Sequence, residues 1–182
     1  MSSTYGQVIP DLTIDGKPAP YGVINERAVR ATAGIMFVIG FSTLWYTRTT
    51  SDFTLMYIVV PLFWLDFFLK AVFAPKYSVI GFFGRMLVKK QKPEWVGAIQ
   101  KRFAWGIGLF MATLMIIGTL MLGLRGSYPL TICGICLTFM WLETSAGICV
   151  GCKIYTFLTK HNIIKKPEHA PACPGGACSI KR

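Results

Sequence analysis

Six cysteines fall into three pairs near the end of this 182-residue chain. Cys133/Cys136 and Cys149/Cys152 are C-x-x-C pairs within the last hydrophobic stretch, Tyr128 to Thr159, and Glu143 lies between them. The third pair sits in the tail as Cys173-Pro-Gly-Gly-Ala-Cys178. A C-x-x-C pair at a helix N-terminus lowers a thiol pKa and forms a reversible disulfide. Four cysteines with this spacing also suit zinc in a soluble loop. Along a straight helix, however, the thirteen residues from Cys136 to Cys149 span about 20 Å. Tetrahedral zinc needs every sulfur within about 2.3 Å of one ion. A single four-cysteine site therefore requires a break in the helix, for which Ser145-Ala146-Gly147 is the natural place. Cysteine also packs as a small inert hydrophobe, and each pair alone fits that role.

The surrounding stretch is a membrane element. Tyr128 to Thr159 carries only two charges, Glu143 and Lys153, and exceeds the roughly 20 residues needed to cross the hydrocarbon core. A carboxyl group there must face protein or water, which makes Glu143 a candidate site residue and proton acceptor. At 100° per residue Glu143 falls on the stripe of Cys136, whereas Cys149 and Cys152 point elsewhere. One straight helix therefore cannot pass electrons directly between its two pairs. Gly147 and Gly151 form a G-x-x-x-G, a helix-contact motif that offers a homo-oligomer face.

Three further spans precede this one. The composition, 53% hydrophobic with a net charge of +11, describes a membrane protein with basic flanks. It excludes a nucleic-acid binder, because apolar runs separate the Lys and Arg into loops. Residues 1–22 read as a Pro/Gly-rich arm without a cleavable signal, so the first hydrophobic helix should insert the chain. That helix starts near Asn25-Glu26, with Asn25 as its cap, and spans about 28–46. A second span, about 53–73, holds Pro61 and the i, i+4 pair Asp66 and Lys70, read as an ion pair with Lys70 snorkelling to the surface. Residues 75–102 form a basic linker with a short interfacial helix over 79–90. A third span covers 103–124. The expected fold is all-α, with four spans over 23–160 and a polar tail at 161–182.

Orientation follows from charge. The middle linker holds seven Lys/Arg and the segment from Lys153 holds six, against one each in the turns at Arg48 and Arg125. The positive-inside rule places both termini in the cytoplasm. The tail pair then sits in a reducing compartment, where exposed thiols serve exchange or metal capture more often than structure. Fourteen residues from Thr159 to Cys173 span about 20 Å as a flexible linker, so the tail can reach Cys149/Cys152.

The segments VINERAVRATAGIMF, LDFFLKAVFAPKYSVIGFFGRML, KRFAWGIG and WLETSAGICVGCKIY resemble a bacterial membrane family, domain of unknown function 4395. The likeness covers about 23–160 and includes Asn25, Glu26, Arg102-Phe103-Ala104, Leu142-Glu143 and Cys149-x-x-Cys152. It implies a small inner-membrane protein whose inner cysteine pair belongs to the family pattern, and brings no activity with it.

The sequence leaves three classes of function. The first is a thiol protein exchanging disulfide, electrons or sulfane sulfur with a cytoplasmic thiol or sulfur-carrier partner through Cys149, Cys152, Cys173 and Cys178. The second binds soft Zn or Cu through those cysteines and His169. The third is a structural subunit of a membrane complex.

Overall fold

The computed structural model describes residues 5–7, 13–14, 17–18, 22–164 and 180–181. Its helices are α1 (Glu26–Thr50), α2 (Thr54–Phe68), α3 (Val79–Leu87), α4 (Ala98–Ile116), α5 (Ser127–Ala146) and α6 (Val150–Lys160). Single π-helical turns extend α2 through Phe73 and α4 through Met121. Thus four helical runs, Glu26–Thr50, Thr54–Phe73, Ala98–Met121 and Ser127–Ala146, are long and apolar enough to cross a membrane. The protein is an all-α membrane bundle.

Local chemistry sets each start and stop. Asn25 caps α1, its side chain accepting a hydrogen bond from the Arg27 N–H at 3.2 Å. Ala74 adopts an extended conformation before Pro75 and ends the π turn, as a residue preceding proline favours. Ser78 caps α3, where its Oγ accepts from the Gly81 N–H at 2.7 Å and donates to Asp66 Oδ1 at 2.6 Å. Asp66 thereby places its charge at the positive end of α3. Proline at the first turn of α5 has no amide hydrogen to lose.

A short antiparallel pair, Val23–Asn25 with Trp95–Gly97, ties the start of α1 to the start of α4. The Glu26 N–H donates to Glu94 O at 2.7 Å, and the Ala98 N–H to Gly22 O at 3.0 Å. α1 packs against α5 and α3, α2 packs against α4, and α4 carries α6. Trp64 Nε1 bridges α2 to α4 through Thr113 Oγ1 at 2.9 Å. Val38, Trp45, Leu62, Phe110 and Met121 face outward, as lipid-facing positions do.

Two boundaries differ from the sequence reading. The third span begins at Ala98, so Lys101 and Arg102, assigned to the linker, lie in its first turns. The strand pairing fixes that start, and partners on neighbouring helices accept both charges. The fourth hydrophobic stretch is two helices. Gly147 ends α5 in the left-handed region, φ 66°, which only glycine adopts without strain. The Gly147 and Ile148 N–H groups both donate to Leu142 O, closing the helix end.

The G-x-x-x-G is likewise divided between elements. Gly147 lies at the break, and Gly151 in α6 packs on Ala104 of α4 within the same chain, so the two glycines do not share one continuous helix. A Cβ at Gly151 would stand 2.6 Å from the Ala104 Cβ. Gly151→Val should therefore push α6 from α4 and cost about 1–3 kcal/mol in a denaturant titration. An unchanged midpoint would show that α6 does not depend on this contact.

Candidate functional site

Three helix ends meet around one lysine. Lys101 Nζ lies 2.8 Å from Glu26 Oε2 and 2.6 Å from Glu143 Oε1, joining α4 to α1 and α5. Lys101 and Glu26 are fully buried, their side chains 1% and 2% exposed, while Glu143 is 19% exposed. Removing such charges from water costs several kcal/mol each, so the arrangement persists only because the lysine serves both carboxylates. Sequence reasoning singled out Glu143 but gave Glu26 only a helix-end role and counted Lys101 among the loop cations.

Cys149 and Cys152 stand beside this triad. The break at Gly147 turns the chain so that Cys149 becomes the N-cap of α6, its sulfur accepting from the Cys152 N–H at 3.4 Å. Both thiols are buried, and they are not joined by a disulfide. Tyr155 and Phe103, with ring centres 5.4 Å apart, hold α6 against α4 one turn further on. A hydrogen bond from the Cys152 thiol holds Cys149 below the ordinary thiol range, assisted by the Lys101 charge and the Cys152 N–H; burial and Glu143 oppose this. The same hydrogen bond, and then burial, push Cys152 up. The arrangement is one nucleophile-like sulfur backed by a protonated neighbour.

The sign of the shift can be read from labelling. A small maleimide should modify Cys149 before Cys152. The Cys149 rate should hold to lower pH than that of a free thiol, then fall once the pH drops below its depressed pKa. Equal rates across the pH range would remove the distinction between the two sulfurs.

Cys133 and Cys136 remain on α5, partly exposed. With Glu143 and Cys149 they line a single cavity of about 920 Å³. The break therefore does not gather the four cysteines into one metal site. Among the described residues no group of three or more His, Cys, Asp or Glu is placed to hold a metal ion. Cys173, Cys178 and His169 lie outside the described residues.

Asp66 and Lys70 form a buried ion pair one turn apart. Lys70 does not snorkel: its side chain is 5% exposed. The π turn carries it inward, where its ammonium lies 3.9 Å from Met36 Sδ and 6.0 Å from the centre of the Trp105 ring. Arg102 turns the other way, donating from Nε to Ala71 O at 2.7 Å. That bond caps a carbonyl near the C-terminal end of the π turn that extends α2.

Fold and site together define a class: a four-span helical membrane protein with a dithiol at a helix start, set against a buried carboxylate–lysine–carboxylate triad. The chain belongs to the family described as Domain of unknown function (DUF4395), which matches residues 24–160. That stretch contains Glu26, Lys101, Glu143, Cys149 and Cys152 and stops short of the tail cysteines. No curated protein and no solved structure matches the chain.

Proposed function

We propose that this is a membrane thiol protein in which Cys149 and Cys152 cycle between dithiol and disulfide. The observation that carries this reading is the placement of Cys149 at the start of α6, hydrogen-bonded to Cys152 and next to Lys101. Two cysteines in the same helical turn, the sulfur of one accepting from the N–H of the other, are close enough to bond with little movement. A cation and a helix start favour the thiolate that begins exchange. Glu143, shared with Lys101, supplies a nearby base.

Charge distribution supports an inner-membrane protein with both termini in the cytoplasm. The linker joining α2 to α4 is strongly basic, whereas Arg48 and Arg125 stand alone in their turns. The dithiol then lies at the cytoplasmic end of the bundle and meets a cytoplasmic thiol or sulfur-carrier protein. Reporter fusions should read outside after Arg48 and Arg125, and inside after Lys90. An outside signal at Lys90 would invert the arrangement.

The central test is a redox titration of the purified chain in glutathione buffers, with the Cys149–Cys152 bond scored by mass spectrometry. Structural disulfides lie below about −300 mV, whereas exchange-active ones lie above. We expect a midpoint above that value. Thiols that stay free at every potential would leave a structural role for the helices. The metal alternative requires Cys173, Cys178 or His169 to join Cys149 and Cys152. It predicts near-stoichiometric Zn or Cu, lost from Cys149→Ser.

A further inference from the structure

A dithiol that cycles needs an electron acceptor, and the cavity beside Cys149 fits one class. Its volume of about 920 Å³ is at the upper end of the range for small-molecule sites. Met36, Phe67, Trp105, Met111, Met115 and Phe139, all on the four spans, are among its apolar lining. Tyr5, Asn25 and the basic Lys76, Arg85, Lys89 and Arg102 also line it, so polar groups share the wall with the apolar ones. Glu143 and Lys70 line it, and Cys149 opens onto it, while Cys152 is buried behind. The Lys70 ammonium lies 5.8 Å from the centre of the Phe67 ring, so a cation and two aromatic faces border the same space.

We propose that this cavity holds the ring of a lipid-soluble quinone, the two-electron acceptor for Cys149 and Cys152. The proposal rests on the dithiol reading above. A largely apolar cavity inside a membrane bundle selects a ligand that partitions into lipid. Flat aromatic walls suit a planar ring, and a buried ammonium suits its carbonyl oxygen. A nucleophilic sulfur on the wall tells a quinone from an inert acyl chain, which has nothing for it to attack.

The chemistry balances. The Cys149 thiolate adds to the quinone ring. The Cys152 sulfur then attacks the Cys149 sulfur, forming the S–S bond as the sulfur–ring bond breaks. The electron pair leaves with the ring, which takes up two protons to become the quinol. Those protons match the two lost by the thiols, and Glu143 accepts that of Cys152. One dithiol and one quinone give one disulfide and one quinol.

Cys133 and Cys136 line the same cavity from α5. A ring seated there has Cys133 and Cys136 as well as Cys149 on its wall.

The test uses the full chain in lipid nanodiscs with ubiquinone-1, a short-tailed quinone. Under anaerobic conditions, one quinol should form per Cys149–Cys152 disulfide, at a rate that saturates with quinone concentration. Ala33→Phe projects a ring into the cavity and lies outside the thiol machinery. It should slow this reaction at least tenfold, yet leave disulfide formation by the small oxidant diamide unchanged. Should Ala33→Phe fail to fold, Ala33→Leu takes its place. If diamide forms the disulfide and ubiquinone-1 does not, the quinone proposal fails while the dithiol reading stands. If neither forms it, the dithiol reading itself fails. Reduction of ubiquinone-1 at an unchanged rate in the cavity variant would also overturn the assignment of this site. So would a phospholipid retained in the cavity that ubiquinone-1 cannot displace.

Discussion

Lys101→Met should be the most damaging single substitution in this protein. It removes the charge paired with Glu26, which is 2% exposed, and with Glu143. Breaking a buried pair by deleting one partner costs about 3–5 kcal/mol, because the remaining charge has nowhere to go. Here two carboxylates lose the same ammonium, so the effect should reach the upper end of that range. Heating or denaturant unfolding of purified protein in nanodiscs would measure it. The triple variant Lys101→Met, Glu26→Gln, Glu143→Gln removes all three charges together and should recover most of the loss. Cys149 should also become less reactive in Lys101→Met, since a cation that favours its thiolate is gone. Full stability in the single variant would mean that the triad does not join the three helices.

The second large effect concerns the division of labour between the thiols. Cys149→Ser should reduce exchange with a soluble thiol partner to background. Losing a nucleophile typically removes more than about 10³-fold of rate. Cys152→Ser should act differently. Cys149 can still attack, but no neighbouring sulfur remains to release the product, so a mixed disulfide accumulates. Non-reducing gels after acid trapping would show the adduct in Cys152→Ser and not in Cys149→Ser. The reverse pattern would assign the attacking role to Cys152, against the hydrogen bond that keeps its proton in place. Identical behaviour of the two variants would remove the order of steps altogether.

Much of the architecture is legible from hydropathy. A span is a local property, set by some twenty consecutive residues, and all four were visible as apolar runs. The Asn25 cap and the i, i+4 relation of Asp66 to Lys70 were local too. The depth of Lys70 was not. A π turn changes which way the side chain points, and nothing in LKAVF announces one. The Lys101 triad was harder still, because its partners lie 75 and 42 residues away along the chain. Charge alone placed Lys101 in a loop; only the strand pairing of Trp95–Gly97 with Val23–Asn25 draws it to the start of a helix. The break before Cys149 depended on one residue. Gly147 served equally well, on sequence grounds, as half of a contact motif or as a helix terminator. The structure uses it as the terminator, and Cys149 owes its place at the start of α6 to that choice.

The separation of Glu26 from Lys101 also has a consequence for how the protein is made. Ribosomes add about 5–20 residues per second, so the 75 residues between them take about 4–15 s to synthesise. Throughout that interval Glu26 has no Lys101 to pair with. A chain stalled before residue 101 cannot complete the triad. An inserted but unpaired first helix is then a built-in sign of incompleteness, open to any protease or chaperone that recognises a bare charge at the membrane edge. Assembly of this bundle is consequently timed by its third span, which must arrive before the first can settle.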